Sequence, residues 1–293
     1  MTQRLSPCVS PRTADNTLHD RAFALGNLLL DLFLPAACAV CGQALDGGGT
    51  RFCDACRGSF RAIVSPLCTR CGTPFETAIA DHVCGACRQS KTAFRAVRAG
   101  GRYEGALQRS VHRLKFGGDL VQAPCLVALL EHALSALHAH TRRAAAAPGG
   151  VFPTPLGLTL DDRPSPDLIV PVPLHPRRLR ARGFNQAHVL AEALVRRGAF
   201  APATAFAPRA LARVRETPPQ ARLPRARRRA NLRGAFRAVP GAVRGRAVLL
   251  VDDVMTTGTT LDACARALMR AGARSVDGLV AARVSVRFES RGA

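Results

Sequence analysis

The sequence predicts an α/β fold, a parallel sheet flanked by helices, preceded by a small module held by metal rather than by apolar burial. Three observations carry that prediction. From residue 167 onward, short aliphatic runs alternate with amphipathic helical stretches, the pattern of strand-helix-strand units. The run RAVLLVDDV (246–254) is aliphatic up to two acids, as a strand buried on both faces of a parallel sheet is. Between residues 36 and 90, eight cysteines fall in four CxxC pairs where aliphatic residues are scarce.

Residues 1–20 have no periodicity and contain two prolines, which predicts a disordered leader. Residues 21–35 carry RAFALGNLLLDLF, whose apolar spacing predicts a short helix ending before Pro35. Its apolar run is interrupted by Asn27 and Asp31 and is too short to span a bilayer, so no stable membrane insertion is expected. Nor do a basic segment, an apolar core and a small-residue cleavage site follow one another as in a secretion signal. The resulting expectation is a cytoplasmic, reducing compartment, where CxxC pairs hold metal more readily than disulfides.

Residues 36–90 form the cysteine module. Residues 91–147 read as a helical, hood-type segment of the core: FRAVRAGGRY (94–103) starts like a strand, and EGALQRSVHRLKF (104–116) has helical periodicity ending at Gly117-Gly118. A second helix is expected from Leu120 to about Ala147. Residues 148–166 are a Pro/Gly-rich connector, and residues 167–293 are the sheet-bearing core. There the expected order is a strand at 167–172, a helix at 184–197, a weaker strand at 209–214, a short strand near 234–239 and the strand at 246–254. A helix from about Thr259 to Ala271, stopped by Gly272, and a last strand near 276–284 complete it.

The formal charge is +22, but 40 of the 42 basic residues are arginine in a chain rich in Ala, Pro and Gly, a bias that GC-rich coding alone produces. Distribution says more. Residues 1–150 carry 17 basic and 10 acidic side chains, whereas residues 151–293 carry 25 and 10. Between Arg209 and Arg246 there are 12 arginines and a single acid, Glu216, with Pro218, Pro219 and Pro224 interrupting; this predicts a mobile basic loop.

The cysteine pairs are Cys38/Cys41, Cys53/Cys56, Cys68/Cys71 and Cys84/Cys87. A two-residue spacing lets both thiolates of a tight knuckle reach one tetrahedral Zn²⁺ at about 2.3 Å, and two knuckles complete a Cys₄ site. Two consecutive zinc ribbons with two structural zinc ions are the natural assignment. An iron–sulfur cluster or redox dithiols use the same spacing, and the order of the pairs also permits the first to join the third. Cys8, Cys125 and Cys264 stand outside the pattern as ordinary thiols.

The chemistry concentrates in VLLVDDVMTTGTTL (248–261). A strand delivers Asp252 and Asp253, and Thr256, Thr257, Gly258, Thr259 and Thr260 turn the chain into a helix. Backbone N–H groups, hydroxyls and the helix dipole make such a turn a monophosphate cradle. The carboxylates upstream can accept hydrogen bonds from vicinal hydroxyls, so the whole suits a sugar bearing a terminal phosphate. The plain alternative is a loop start followed by a helix cap. No GxxxxGK[ST] or GxGxxG occurs, which disfavours a nucleoside-triphosphate loop and a dinucleotide fold.

As a unit this string resembles the phosphoribosyl pyrophosphate (PRPP) signature of type I phosphoribosyltransferases. The resemblance implies a type I phosphoribosyltransferase-like sheet, Asp252 and Asp253 on the ribose hydroxyls, Thr256 to Thr260 on the 5′-phosphate, and Mg²⁺ accompanying PRPP. Within that superfamily the chain resembles the ComF-like proteins of bacterial competence and DNA utilisation. The matching segments are the cysteine pairs, Tyr103 with LKFGG (114–118), VPVPLHPRRLRARGFNQA (170–187), and RETPPQARLPRARRRANLRGAF (215–236) leading into the PRPP motif.

That likeness places a pyrophosphate loop at Pro173, Leu174, His175, Arg177 and Arg178, with Arg182 to Gln186 opening the next helix. It places a mobile loop at Arg215, Thr217, Gln220, Arg228 and Asn231. Tyr103 and Lys115 are candidates for contacting the acceptor. The expected function is PRPP-Mg²⁺ binding with transfer or recognition of a phosphoribosyl group, in the setting of DNA uptake or use. The alternative is a non-catalytic competence protein whose ribbons and arginine loop bind single-stranded DNA or an uptake protein. With no Trp and one Tyr, base stacking would contribute little.

Overall fold

The computed structural model describes residues 37–45, 52–76, 80–146, 165–217 and 230–284. The expected leader, the apolar helix at 21–35 and nearly all of the connector lie outside them. The central sheet is wholly parallel and has the order β1-β7-β6-β2-β3. Its strands are β1 Val97–Arg102, β2 Leu168–Pro171, β3 Ala205–Phe206, β6 Ala247–Met255 and β7 Ser275–Arg283.

Two of the expected strands, β4 Leu211–Arg213 and β5 Phe236–Ala238, do not join this sheet. They pair antiparallel with each other as a small separate ribbon. The strand-helix alternation breaks there, because β4 and β5 flank the arginine-rich segment and pair with each other instead of extending the parallel sheet.

The helices follow from apolar spacing and caps. They are α3 Gly105–Gly117, ended by the left-handed Gly118, then α4 Ala123–Ala146 and α6 Gln186–Arg196, capped by Asn185. In the cysteine module lie α1 Asp54–Gly58 and α2 Gly85–Gln89. α5 Pro176–Arg182 and α7 Pro240–Val243 are short, each with proline in the first turn, and α8 is Thr259–Arg270.

Each face of the sheet has its own core. In β6, Leu249 and Val251 pack with α3, α4 and α6, while Val248 and Leu250 pack with α8 and the β4/β5 ribbon, the period of two expected of a strand. By length and hydropathy the stretch Leu120–Thr141 could cross a membrane, with a mean hydropathy of 1.6, yet it packs against β1, β7 and α6. It is the core helix of this face.

The cysteine module straddles the β1 edge. Cys38, Val40, Phe52, Cys56 and Phe60 join the core beneath α3 and α4, whereas Cys68, Cys71, Cys84 and Cys87 join the core beneath α8. Between the two halves, Ile63 donates to Gly100 and Arg102 donates to Arg61. The linker thus occupies hydrogen-bonding groups that an edge strand would otherwise expose.

β1 and α4 approach so closely that a Cβ on Gly100 would lie 2.3 Å from the Leu129 carbonyl oxygen. Backbone stands in the way, so Gly100→Ala is expected to lower stability by about 1–3 kcal/mol in urea unfolding.

Candidate functional site

The fold positions a site at the carboxyl ends of the strands. β2 and β6 are neighbours, but the chain leaves β2 through α5 and α6 toward β3 and leaves β6 through α8 toward β7. Connections that part in opposite directions open a crevice, the usual ligand position in open parallel sheets. Around it gather the ends of β2 and β6, the start of α8, and the first turn of α5.

β6 runs through both acids to Met255 rather than stopping at them. Each carboxylate accepts from the next backbone N–H: Asp253 N donates to Asp252 Oδ1 at 2.9 Å and Val254 N to Asp253 Oδ1 at 2.8 Å. Strand alternation turns the two side chains to opposite faces. On the α3 side, Lys115 Nζ lies 2.9 Å from Asp253 Oδ2. Burial alone would pull the Lys115 ammonium down, but Asp253 and Asp252 outweigh it and hold it above the ordinary lysine value.

Asp252 faces the α8 side and has no ion pair among the described residues. Burial, then the neighbouring Asp253 charge, pushes its carboxyl well above the ordinary range. Tyr103 is near by; burial raises its phenol, with Lys115 opposing. Lys115 and Tyr103 thus lie beside Asp253, and Lys115 is engaged with that carboxylate.

Beyond Met255 the chain enters the threonine turn. Gly258 has φ +79° and is the N-cap of α8, so the cap residue itself carries no side-chain acceptor. A Cβ there would sit 2.4 Å from Met255 Cε. The left-handed backbone is what favours glycine here, with Met255 packed against it. Thr257 and Thr259 hydroxyls are 2.8 Å apart, and Thr256 is exposed.

Across the crevice, the segment read as a pyrophosphate loop is only partly a loop. Proline at the first helical position presets the backbone, so Arg177 and Arg178 stand in the first turn of α5. His175 caps that helix, its Nδ1 accepting from Arg177 N at 3.4 Å. Arg177 pairs with Glu216 at 3.0 Å and Arg178 donates to the Thr217 carbonyl at 3.0 Å. The structure therefore brings the α5 arginines together with the start of the arginine-rich segment.

At that segment's far end, Arg215 donates to the carbonyls of Asn231 and Arg233, at 2.8 and 2.7 Å, and draws its two ends together. Thr217 is buried against Arg213. Gln220 and Arg228 lie outside the described residues.

The cysteines resolve into two tetrads, Cys38/Cys41/Cys53/Cys56 and Cys68/Cys71/Cys84/Cys87, with all four sulfurs of each within 4.8 Å of one another. Pairing is sequential, not crossed. A tetrahedral Zn²⁺ with about 2.3 Å bonds needs sulfurs about 3.8 Å apart. Cys41 and Cys53 are 3.7 Å apart, and Cys71 and Cys84 are 3.8 Å apart. Both ribbons follow one plan: a CxxCG knuckle whose glycine N–H returns to the first cysteine carbonyl, then a helix capped by the third cysteine.

Their surroundings differ. Cys41 is exposed, while all four cysteines of the second tetrad are buried. Beside that tetrad lie two buried arginines that the sequence did not single out. Arg98 donates to the Thr69 carbonyl at 3.0 Å, and Arg283 donates to the Cys71 carbonyl at 2.8 Å and contacts Cys71 Sγ at 3.6 Å. Neither has a carboxylate within ion-pair distance among the described residues. Four thiolates around a divalent ion carry a net double negative charge, which these two guanidiniums offset; the donors fit zinc. Cys125 and Cys264 are buried apart from both tetrads.

A parallel sheet with acids and a glycine-led threonine turn at its switch point, fronted by two Cys₄ ribbons, defines a double-zinc-ribbon protein with a phosphoribosyltransferase domain. Comparison with known families agrees: residues 29–88 match the Double zinc ribbon domain and residues 197–287 the Phosphoribosyl transferase domain. The chain is 35% identical to the DNA utilization protein YhgH of Escherichia coli O157:H7, over 84% of this chain and 96% of that protein. It is 27% identical to Competence protein F of Haemophilus influenzae, over 83% and 95% of the two chains. To Competence protein ComFC of Bacillus subtilis it is 25% identical, over 76% and 79%. The chain belongs to this ComF-type family.

The buried charge at Asp252 predicts a pH dependence. A carboxyl whose folded value is raised costs stability once pH climbs above its unfolded value near 3.8. Asp252→Asn is therefore expected to raise the melting temperature at neutral pH, with an advantage that shrinks as pH falls toward about 4.

Proposed function

We propose that the chain binds PRPP with Mg²⁺ at the β2/β6 crevice and acts as a phosphoribosyltransferase-type protein that transfers or recognises the phosphoribosyl group. The observation that carries this reading is the end of β6: two acids on opposite strand faces, followed by a turn into α8 whose cap residue, Gly258, is left-handed and has no side chain. On this reading the turn holds the 5′-phosphate through backbone N–H groups and threonine hydroxyls. Asp252 and Asp253 accept from the ribose hydroxyls, and Lys115, 2.9 Å from Asp253 Oδ2, orients that carboxylate.

The α5 arginines, Arg177 and Arg178, stand on the opposite side, where guanidiniums can take pyrophosphate oxygens in pairs. As the bond to pyrophosphate breaks, positive charge develops on the ribosyl carbon and negative charge on the leaving group. Carboxylates below and arginines beside match that separation. The hard carboxylate oxygens of Asp252, which has no ion pair among the described residues, fit Mg²⁺, which when bound to PRPP would neutralise the leaving pyrophosphate. Thiolates serving as metal ligands suit a reducing compartment, and we place the protein in the cytoplasm.

A second reading, engagement of single-stranded DNA, is favoured by one feature of the surface. Arg233, Arg266 and Arg270 line a groove of about 510 Å³ beside α8. Relatives are named for DNA utilization and competence. Three phosphate contacts on a single strand imply a log-log salt slope of about −2. Anisotropy with labelled single-stranded DNA should give that slope, and no binding at about 50 mM salt would remove this reading.

For the primary reading the measurement is calorimetric titration with PRPP and Mg²⁺. Asp252→Asn and Asp253→Asn are each expected to weaken binding about 10- to 100-fold, the value of one charge-assisted hydrogen bond. Unchanged binding in the double variant would sink the assignment.

A further inference from the structure

The second ribbon and the threonine turn share one cavity. It measures about 790 Å³ and is lined on one side by Cys71, Cys87 and Ser90, and on the other by Thr256, Thr257 and Thr259. Zinc modules that serve only as folding staples have no reason to face a ligand turn.

Arg283, at the end of β7, connects the two. Its guanidinium donates to the Cys71 carbonyl at 2.8 Å, touches Cys71 Sγ and bonds to Thr73 on the ribbon side. On the sheet side it donates to Met255 Sδ at 3.0 Å. Met255 is the residue packed against the left-handed Gly258, and Val284 N donates to its carbonyl at 3.0 Å.

From a metal-ligating cysteine to the residue that shapes the turn is therefore two contacts, all buried. Among the described residues, only the second ribbon makes such a connection. The first packs on the opposite face of the sheet, under α3 and α4.

We propose that the second ribbon is a wall of the phosphate pocket and that Arg283 is a positioning residue through which its loaded Cys₄ site holds Met255 and the Thr256–Thr260 turn in place. In naming this pocket the proposal rests on the PRPP reading; the mechanical link from ribbon to turn does not. Zinc in the second ribbon and phosphate at the turn then stabilise each other, as linkage requires of two coupled sites. Zinc in the first ribbon does not take part.

Two measurements on the full, zinc-loaded chain test this. In hydrogen exchange, Cys87→Ser and Arg283→Met are expected to speed exchange at residues 256–262 roughly tenfold, with residues 248–251 still protected as the control for folding. Cys56→Ser, which disables the first ribbon, and Arg283→Lys, which keeps the charge, should leave 256–262 protected. Equal protection in all four variants, or equal loss in both ribbon variants, overturns the proposal.

Zinc release to a chromogenic chelator supplies the second measurement. Saturating PRPP-Mg²⁺ should slow loss of one of the two zinc ions roughly tenfold in the wild type, and not in Arg283→Met. Calorimetric binding of PRPP that slows neither zinc refutes the coupling and leaves the phosphate reading intact. Absence of PRPP binding together with the expected exchange pattern refutes the phosphate reading and upholds the link from ribbon to turn.

Discussion

Two guanidiniums, Arg98 and Arg283, sit almost wholly out of water beside four cysteines that also lie out of water. Neither group tolerates that setting alone, since an isolated buried cation costs far more than one hydrogen bond returns. Burial pulls the Arg98 guanidinium down, and Asp81 and then the Cys68 thiolate oppose it. Charge neutrality between the arginines and a metal-loaded tetrad is what allows the ribbon to dock against the end of the sheet. The β1 edge is covered only because that docking holds. Here metal chemistry substitutes for the aliphatic core the cysteine module lacks.

The module divides between the two faces of the sheet, which explains why it needs two metals. A single ribbon could cover α8's face or α3's face, but not both. The linker at 61–63 hydrogen-bonds along β1 while each tetrad anchors one side. Ribbon and sheet therefore stand as one packed body with two cores, and the site at the strand ends inherits residues from both.

At that site, geometry and stability oppose each other. Asp252 is buried next to another acid and raised well above its ordinary range, an arrangement that a chain under selection for stability alone would discard. Lys115 pairs with Asp253, and among the described residues Asp252 has no ion pair. Gly258 carries a left-handed backbone with methionine packed against it. A buried carboxyl raised above its ordinary range and a constrained backbone six residues on share one crevice, and the PRPP proposal rests on that pairing.

Local patterns in the chain already determined the strand that carries Asp252 and Asp253, the helix after Gly258, the left-handed stop at Gly118 and the eight metal ligands, because each depends on neighbours within one turn or one strand. CxxC spacing says that two thiolates can share an ion, but not which pairs do so; that choice was made by the sheet, which holds the first two pairs on one face and the last two on the other. Tertiary structure also decided that the strands at 211–213 and 236–238 pair with each other rather than with the sheet, since their length matches either arrangement. Proline's fixed φ after His175 turned an expected loop into a helix, a local signal outweighed in the sequence by the run of arginines. Arg98 and Arg283 were illegible for a different reason. In a chain with 40 arginines, no spacing distinguishes the two that burial makes indispensable, and only the packing of distant segments supplies the thiolates that keep them there.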